Sequence, residues 1–216
     1  MHLFKGWQLI SRPGAKYYTN RVEFIDTVIK NKTPKILDVG AGGLSSNIPD
    51  KYQPMSRYIY QTVGRDNYAA LEYDPERAEI MEKKFGVPNI QVGDIVNHKT
   101  QDRFDVIYCG LILPVVYDLD AALSNIRQLL RPNGALVLDF PNFMFYRNIA
   151  RYAYKSKTRL DCDKFHWHHE TVDSLTKKLE KKDFRVLETS FIAGNRQPFF
   201  MPAKYAEFIG SISVPN

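Results

Sequence analysis

The chain has 216 residues, a formal net charge of +6 and a hydrophobic fraction of 44%. This length and composition fit one α/β domain with a full-sized core and are too short for two ordinary domains. No apolar run approaches the roughly 20 residues that a membrane-spanning helix needs, and the first residues lack the apolar stretch of a secretion signal. The two cysteines, Cys109 and Cys162, are too few for a disulfide framework. We therefore expect a soluble, cytoplasmic protein.

The charge is distributed unevenly. Residues 1–35 carry seven basic and two acidic side chains, residues 36–140 carry ten and fourteen, and residues 141–216 carry thirteen and eight. The flanks therefore sum to +10 and the middle to −4. This asymmetry favours a phosphate-bearing or otherwise anionic substrate held by the flanking segments, and a solvated basic surface is the alternative.

Apolar runs alternate with helical patterns along the chain. Three- and four-residue apolar spacing predicts helices at about 20–30, 75–85, 118–130 and 171–182. Between them, the predicted strands are 35–39, 69–73, 89–92, 104–109, 135–140 and 184–191. Strands separated by single helices predict a doubly wound α/β fold, with a mainly parallel sheet covered on both faces.

The most informative segment is 35–42, a short buried strand that runs into a glycine turn. Gly40 allows a sharp turn, Gly42 allows a ligand to approach the backbone closely, and Asp38 adds a carboxylate. In a doubly wound sheet the end of the next strand, Glu72, meets this turn. A carboxylate there accepts hydrogen bonds from both hydroxyls of a ribose.

Five blocks of sequence occur in an order that is similar to a class I S-adenosylmethionine-dependent methyltransferase of the small-molecule branch. They are Ile-Leu-Asp-Val-Gly-Ala-Gly at 36–42, Glu-Tyr-Asp-Pro-Glu at 72–76, Val-Gly-Asp-Ile at 92–95, Phe-Asp-Val-Ile at 104–107, and Leu-Arg-Pro-Asn-Gly-Ala-Leu-Val-Leu at 130–138. The resemblance implies the Rossmann-like methyltransferase fold with a seven-stranded sheet, and S-adenosyl-L-methionine as cofactor.

The resemblance also implies a set of cofactor contacts. The methionine portion would lie against the first turn, at Asp38, Gly40, Ala41 and Gly42, and the ribose against the end of the second strand, at Glu72 and Tyr73. The adenine would lie after the third strand, at Asp94 and Ile95. Cys109 and Gly110 would lie under the cofactor at the end of the fourth strand. A nicotinamide dehydrogenase is a weaker alternative, because its third motif glycine would fall at Ser45.

Two features depart from the family pattern. Pro49 and Pro54 interrupt the helix that should follow the glycine turn. Thirty residues separate Gly42 from Glu72, where about 20 would be usual, which predicts an insertion near 49–66. Its three tyrosines would either form a lid over the cofactor or cover the sheet edge; they are Tyr52, Tyr58 and Tyr60.

Two further segments are expected to shape the acceptor site of the methyltransferase domain at 35–216. The N-terminal helical segment, residues 1–34, would cover the site, with Tyr17 and Tyr18 as contacts or as packing residues. A basic helical segment is predicted near 143–159 because basic residues recur every four positions at Arg147, Arg151, Lys155 and Arg159.

The candidate base is a histidine. His166 and His168 precede the helix at 171 and would share a face if that segment is extended, with His169 on the other face. A pKa of about 6.5 suits histidine to remove a proton from a hydroxyl acceptor. The alternative is that these histidines only cap and pack the helix. No spacing in this region matches a structural zinc site, so no metal is predicted.

The sequence thus predicts O-methylation of a small-molecule or glycan-type acceptor, and the basic flanks favour an anionic one. A non-catalytic nucleoside-binding protein of the same fold and a nucleic-acid methyltransferase are the alternatives. The acidic middle of the chain and the apolar loop Leu111-Ile112-Leu113 argue against nucleic acid. An aromatic tail around Phe199 and Phe200 would close the site or contact a second subunit.

Overall fold

The computed structural model describes residues 15–42, 54–145, 168–193 and 206–216. These residues form one eight-stranded sheet with helices on both faces. The strands are β1 (Lys16–Tyr18), β2 (Ile36–Val39), β3 (Tyr68–Glu72), β4 (Ile90–Val92), β5 (Phe104–Gly110), β6 (Leu130–Pro141), β7 (Phe184–Ile192) and β8 (Phe208–Pro215). Their order across the sheet is β1-β7-β8-β6-β5-β2-β3-β4.

The sheet is mainly parallel, as predicted. Strand β8 runs antiparallel to both of its neighbours, and the other pairs are parallel. Eight strands are present where seven were predicted, because β1 pairs in parallel with residues 190–192 at the sheet edge. A strand of three residues is too short to show an alternating pattern in the sequence.

Five α-helices lie within the described ranges: α1 (Arg21–Ile29), α2 (Met55–Val63), α3 (Pro75–Phe85), α4 (Leu119–Leu129) and α5 (Val172–Lys181). The buried side chains of α1, α2 and α3 share one apolar cluster, which includes Phe24, Ile59 and Met81. Those of α4 and α5 share the other, which includes Leu123 and Leu179. The predicted arrangement of helices on both faces is therefore confirmed. None of the described helices is long and apolar enough to cross a membrane.

Aspartates that follow parallel strands determine where α3 and α4 begin. The Asp74 carboxylate accepts a hydrogen bond from the Glu76 amide at 3.0 Å, and Asp118 accepts one from the Ala121 amide at 2.8 Å. Such caps satisfy amides that have no partner within the helix. Because both helices follow the carboxyl ends of parallel strands, their N-termini lie at the same edge of the sheet.

The chain reverses direction across the sheet between β2 and β5. From β2 it continues to β3 and β4 on one side, and then returns to β5 and β6 on the other. A crevice forms at the carboxyl edge of such a switch point, and ligands of doubly wound folds bind there. The glycine turn at 40–42 lies at this crevice.

The region of the predicted insertion contains helix α2, which begins directly after Pro54 and ends at Val63, with Gly64 as its C-cap. Its buried side chains are Ser56, Ile59 and Val63. The Tyr58 hydroxyl donates to Asp26 of α1, and the Tyr60 ring lies 5.7 Å from the ring of Tyr68 on β3. These contacts favour the packing interpretation for Tyr58 and Tyr60. Tyr52 lies outside the described residues.

Candidate active site

A cavity of about 520 Å³ opens at the carboxyl edge of the sheet. It is bounded by the ends of β2, β3 and β4 and by the loop that follows β5. This volume is within the range of small-molecule sites. Five of the ten predicted cofactor contacts line it: Gly40, Glu72, Tyr73, Asp94 and Ile95.

Gly40 has the backbone conformation that the sequence predicted. Its φ of +80° is unfavourable for any residue with a Cβ, and its amide donates to the Leu71 carbonyl at 2.8 Å. A Cβ at this position would lie 2.8 Å from Cβ of Ile112. The turn therefore needs glycine for two reasons, the dihedral angle and the close approach of the loop after β5.

The role predicted for Gly42 needs correction. Its amide donates to Oε2 of Glu72 at 2.6 Å. A Cβ here would lie 2.7 Å from that same oxygen and 2.6 Å from Cβ of Arg77. The space that Gly42 leaves open is thus occupied by protein side chains, and its first function is to admit the Glu72 carboxylate.

Glu72 connects the glycine turn to the start of α3. Its carboxylate is buried, and while Oε2 accepts from Gly42, Oε1 accepts from the Asp74 amide at 3.0 Å. Each oxygen of a carboxylate has two lone pairs, so one remains on each for a ligand. Two backbone amides therefore fix the carboxylate at the cavity wall before any ligand binds.

The cavity is acidic. Glu72, Asp74, Asp94 and Asp118 line it, and Arg77 is its one basic lining residue among those described. Asp94 Oδ1 accepts from the Val96 amide at 2.9 Å, so backbone amides hold all four carboxyl groups. An acidic cavity favours hydroxyl donors and cationic ligands over phosphates.

Two exposed tyrosines flank the cavity. Tyr73 follows β3 and is 73% exposed, while Tyr117 follows β5 and is 79% exposed. Both line the opening, and buried Ile95 forms part of the apolar floor. A flat apolar group is suited to a space with aromatic sides and an aliphatic floor.

Asp38 lies outside the lining of this cavity. It is buried, and its Oδ2 accepts a hydrogen bond from the Tyr68 hydroxyl at 3.0 Å. Burial raises the pKa of the Asp38 carboxyl to about 6, although hydrogen bonds from Ser56 and Tyr68 and the charge of Arg21 act in the opposite direction. Asp38 therefore titrates near neutrality and lies beneath the glycine turn.

This shift predicts a pH dependence of stability. The pKa of Asp38 is higher in the folded protein than in the unfolded chain. The contribution of this carboxyl to the free energy of unfolding is therefore fully present below about pH 4 and is lost as the pH rises through about 6. We expect the free energy of unfolding of wild type, relative to Asp38→Asn, to fall by on the order of 2 to 3 kcal/mol across that interval. Urea unfolding of both proteins at a series of pH values measures this difference. Parallel profiles for the two proteins would contradict the assignment.

Three other predicted contacts also lie outside the cavity lining. Ala41 and Cys109 are buried in the two apolar clusters. Burial, reinforced by the charges of Asp38 and Asp139, raises the pKa of the Cys109 thiol well above its ordinary value. Gly110 contacts the Arg21 guanidinium, since a Cβ there would lie 2.6 Å from Arg21 Nη2. The loop residues that follow Gly110 line the cavity in its place, starting at Ile112.

Of the two candidate bases, His166 lies outside the described residues. His168 contacts the loop after β5: its Nε2 is 3.1 Å from the Val116 carbonyl oxygen, and its amide donates to the Pro114 carbonyl at 3.3 Å. Because a carbonyl oxygen only accepts, Nε2 carries the hydrogen. His168 lines a neighbouring recess with Tyr117 and Lys178. The hypothesis that either histidine is the base stays a prediction.

The contact with Val116 predicts a binding effect for His168. We expect His168→Ala to weaken binding of S-adenosylhomocysteine about fivefold, because the loop that carries Val115, Val116 and Tyr117 loses one hydrogen bond of roughly 1 kcal/mol. Calorimetry gives the affinity, and His169→Ala, which removes an exposed histidine, is the control. Unchanged affinity together with a loss of turnover would instead indicate a base.

Part of the cavity wall was not predicted from the sequence. Asp118, Arg77 and Tyr117 line the site without belonging to a predicted contact. A signal was available for Asp118, because an aspartate immediately before an amphipathic helix is a typical cap, and the cap follows a parallel strand. Tyr117 stands beside it. Arg77 had no such signal, since its position depends on the close contact with Gly42.

The fold and this cavity define the class of protein: a doubly wound α/β domain with a small-molecule cavity at the carboxyl edge of its sheet. Residues 37–138, just under half of the chain, match the family described as a methyltransferase domain. This match supports the predicted class I S-adenosylmethionine-dependent methyltransferase, and solved structures of such enzymes share the fold.

Solved structures share the fold at low sequence identity. A TehB-like SAM-dependent methyltransferase from Corynebacterium glutamicum is 16% identical, with a TM-score of 0.57, over 89% of this chain and 86% of that one. The 1,6-didemethyltoxoflavin-N1-methyltransferase from Burkholderia thailandensis, solved with bound 1,6-didemethyltoxoflavin and S-adenosylhomocysteine, is 14% identical with a TM-score of 0.55, over 85% of this chain and 71% of that one.

A curated relative is much longer than this chain. The highly reducing polyketide synthase frbB of Dothideomycetidae sp. (strain 11243) is 22% identical over 130 residues, which are 56% of this chain and 5% of that protein. The chain thus corresponds to a small part of that relative, in agreement with a match at the level of one domain.

Proposed function

We propose that the protein transfers the methyl group of S-adenosyl-L-methionine to an oxygen of a small-molecule or glycan-type acceptor. The observation that carries the proposal is the buried Glu72 carboxylate, held by two backbone amides at the wall of the cavity. A ribose diol donates two hydrogen bonds to one carboxylate, and Glu72 has a lone pair available on each oxygen.

The charge of the cavity supports a sulfonium nucleoside over a dinucleotide. Four acidic side chains and one arginine line it among the described residues. A nicotinamide dinucleotide would bring a diphosphate into this acidic surface, whereas S-adenosylmethionine brings a cation and hydroxyl donors. In this proposal Tyr73, Asp94 and Ile95 contact the adenosyl portion, while Asp38 supports the turn from below.

The acceptor site would lie toward β5 and β6, away from the cavity lining described above. The basic flanks of the sequence, with a summed charge of +10, support an anionic acceptor. The basic segment near 143–159 that would hold it lies outside the described residues, apart from positions 143–145. His166 or His168 is proposed as the base that takes the hydroxyl proton.

Thermal shift with S-adenosylmethionine, S-adenosylhomocysteine and NAD tests the cofactor. A ligand that binds the folded state raises the melting temperature, so we expect stabilisation by the two sulfur nucleosides and none by NAD. Stabilisation by NAD alone would exclude the proposal. Release of S-adenosylhomocysteine in the presence of sugars, lipids or RNA then separates an enzyme from a nucleoside-binding protein, and one acceptor class from another.

A further inference from the structure

One oxygen of a buried carboxylate at the carboxyl end of β6 has no partner. The Asp139 side chain is fully buried; Oδ2 accepts from Nε of Arg21 at 3.1 Å and from the Tyr108 hydroxyl at 2.6 Å. Oδ1 has no hydrogen-bond partner within the described part of the chain. A buried acceptor without a partner costs about 1 to 3 kcal/mol, and more when it is charged.

The surrounding contacts prevent the carboxylate from turning to satisfy both oxygens. Arg21 Nη2 donates to the Tyr108 hydroxyl at 2.9 Å, so Arg21, Tyr108 and Asp139 form a closed ring of hydrogen bonds. Rotating Asp139 would break two of them. Arg21 is the first residue of α1, and Tyr108 is fully buried in β5. The unused oxygen is therefore fixed in place by rigid elements.

The ring lies beside the proposed cofactor site. Tyr108 of β5 is in register with Asp38 of β2, and Gly110 with Asp139 of β6, so the ring spans β5 and β6 next to the strand that leads into the glycine turn. With strands about 5 Å apart, the end of β6 lies roughly 14 Å across the sheet from Glu72 on β3. In the proposed complex, a nucleoside with its ribose at Glu72 and its methionine portion along the glycine turn would extend toward this end of the sheet.

We propose that Asp139 Oδ1 accepts a hydrogen bond from the reacting group of the methyl acceptor, which is therefore a hydroxyl or a neutral amine. This inference rests on the proposed methyltransferase function. Asp139 is then a catalytic residue, while Arg21 and Tyr108 are positioning residues. A carboxylate acceptor is excluded by repulsion from Asp139, and an ammonium group is disfavoured because Arg21 already balances the charge.

With a hydroxyl acceptor, the transfer of the methyl group balances in atoms and charge. A lone pair of the acceptor oxygen forms the new O–CH3 bond, and the pair of the breaking S–CH3 bond stays on sulfur, which becomes a neutral thioether. In this proposal Asp139 Oδ1, rather than His166 or His168, takes the hydroxyl proton, which passes to water when the product leaves. For a neutral amine the same oxygen orients the nitrogen lone pair through its N–H.

Side-chain NMR tests this proposal without a known acceptor. The protein is saturated with S-adenosylhomocysteine and titrated separately with phenol, aniline, anisole and benzoate, and the 15N–1H signal of Arg21 Nε is followed. Phenol and aniline offer a donor, anisole has the shape of phenol without one, and benzoate is an anion. We expect saturable shifts with phenol and aniline and none with the other two probes.

Variants assign the effect to Asp139. We expect Asp139→Asn to weaken phenol binding about tenfold or more, through loss of a charge-assisted hydrogen bond. Tyr108→Phe should reduce the preference for phenol over anisole. In the same variant, the Arg21 Nε signal should keep the position that it has when Nε is hydrogen-bonded to Asp139. A purely structural role of Tyr108 would not predict this combination. Ser190→Ala is the matched control, because the Ser190 hydroxyl is also buried without a partner in the described residues and lies on β7, two strands from β6.

Three results would each overturn the assignment of Asp139. They are equal binding of phenol and anisole, phenol binding that survives in Asp139→Asn, and the absence of a shift with either donor. Binding of S-adenosylhomocysteine is measured by calorimetry on the same samples. If the nucleoside binds while the donors do not, the inference about Asp139 fails and the proposed function stands. If the nucleoside does not bind, the proposed function fails first. Where Asp139→Asn does not fold, Tyr108→Phe decides.

Discussion

Glu72→Ala is expected to weaken binding of S-adenosylhomocysteine by on the order of 1 to 3 kcal/mol, or about 5- to 150-fold. Two losses combine in this variant. The ribose loses a pair of charge-assisted hydrogen bonds, and the amides of Gly42 and Asp74 lose the carboxylate that orients them. Isothermal titration calorimetry with wild type and variant measures the difference directly.

Two further variants separate these contributions. Glu72→Gln keeps the shape of the side chain but has one carbonyl oxygen in place of two carboxylate oxygens, so we expect an intermediate loss. Glu82→Ala removes an equal charge from the exposed face of α3, outside the cavity lining, and should bind as wild type. Titration curves for Glu72→Ala that overlay those of wild type would refute the assignment of the ribose.

Gly40→Ala is expected to lower the free energy of unfolding by about 2 to 4 kcal/mol. Part of this loss comes from the φ of +80°, and part from the overlap of the new Cβ with Ile112, whose Cβ would be 2.8 Å away. The same overlap would displace the loop after β5 and so reduce nucleoside affinity. Urea unfolding gives the stability of the variant.

Gly64→Ala is a matched control for the dihedral angle alone. Gly64 has a φ of +82°, and nothing lies within 4 Å of its Cβ position. We expect a loss of about 1 to 3 kcal/mol from this positive φ, which side chains with a Cβ rarely adopt, and no effect on nucleoside binding. Equal losses in the two variants would show that Ile112 does not press on the glycine turn.

The sequence predicted the parts of the fold that depend on local patterns. Helix α4 has apolar residues at the spacing of one buried face, and α3 has an aspartate cap with Pro75 in its first turn; both predicted ranges agree closely with the structure. The turn predicted at 131–134 corresponds to an irregularity in the pairing of β6 with β5. There the register of β5 with β6 shifts from Phe104 opposite Leu130 to Val106 opposite Ala135.

The parts that were missed depend on contacts distant in sequence. Strand β8 contains Gly210 and ends at Pro215, and both residues weaken a strand pattern. Its pairing with β6 and β7 decides its structure. Similarly, the blocks of the family located Glu72 and Asp94 in the site, whereas Arg77 and Ile112 reach it through side chains packed against glycines. Such packing has no signature in a single sequence.

The antiparallel strand makes one edge of the sheet depend on pairing between distant segments. Residues 208–215 separate β6 from β7, and residues 16–18 in turn pair only with β7 among the described strands. Lys16 lies opposite Ser190, and closing so long a stretch of chain costs conformational entropy before the pairing forms. The three-residue strand β1 thus joins the sheet late in folding, and the edge of β7 is open to other chains until then.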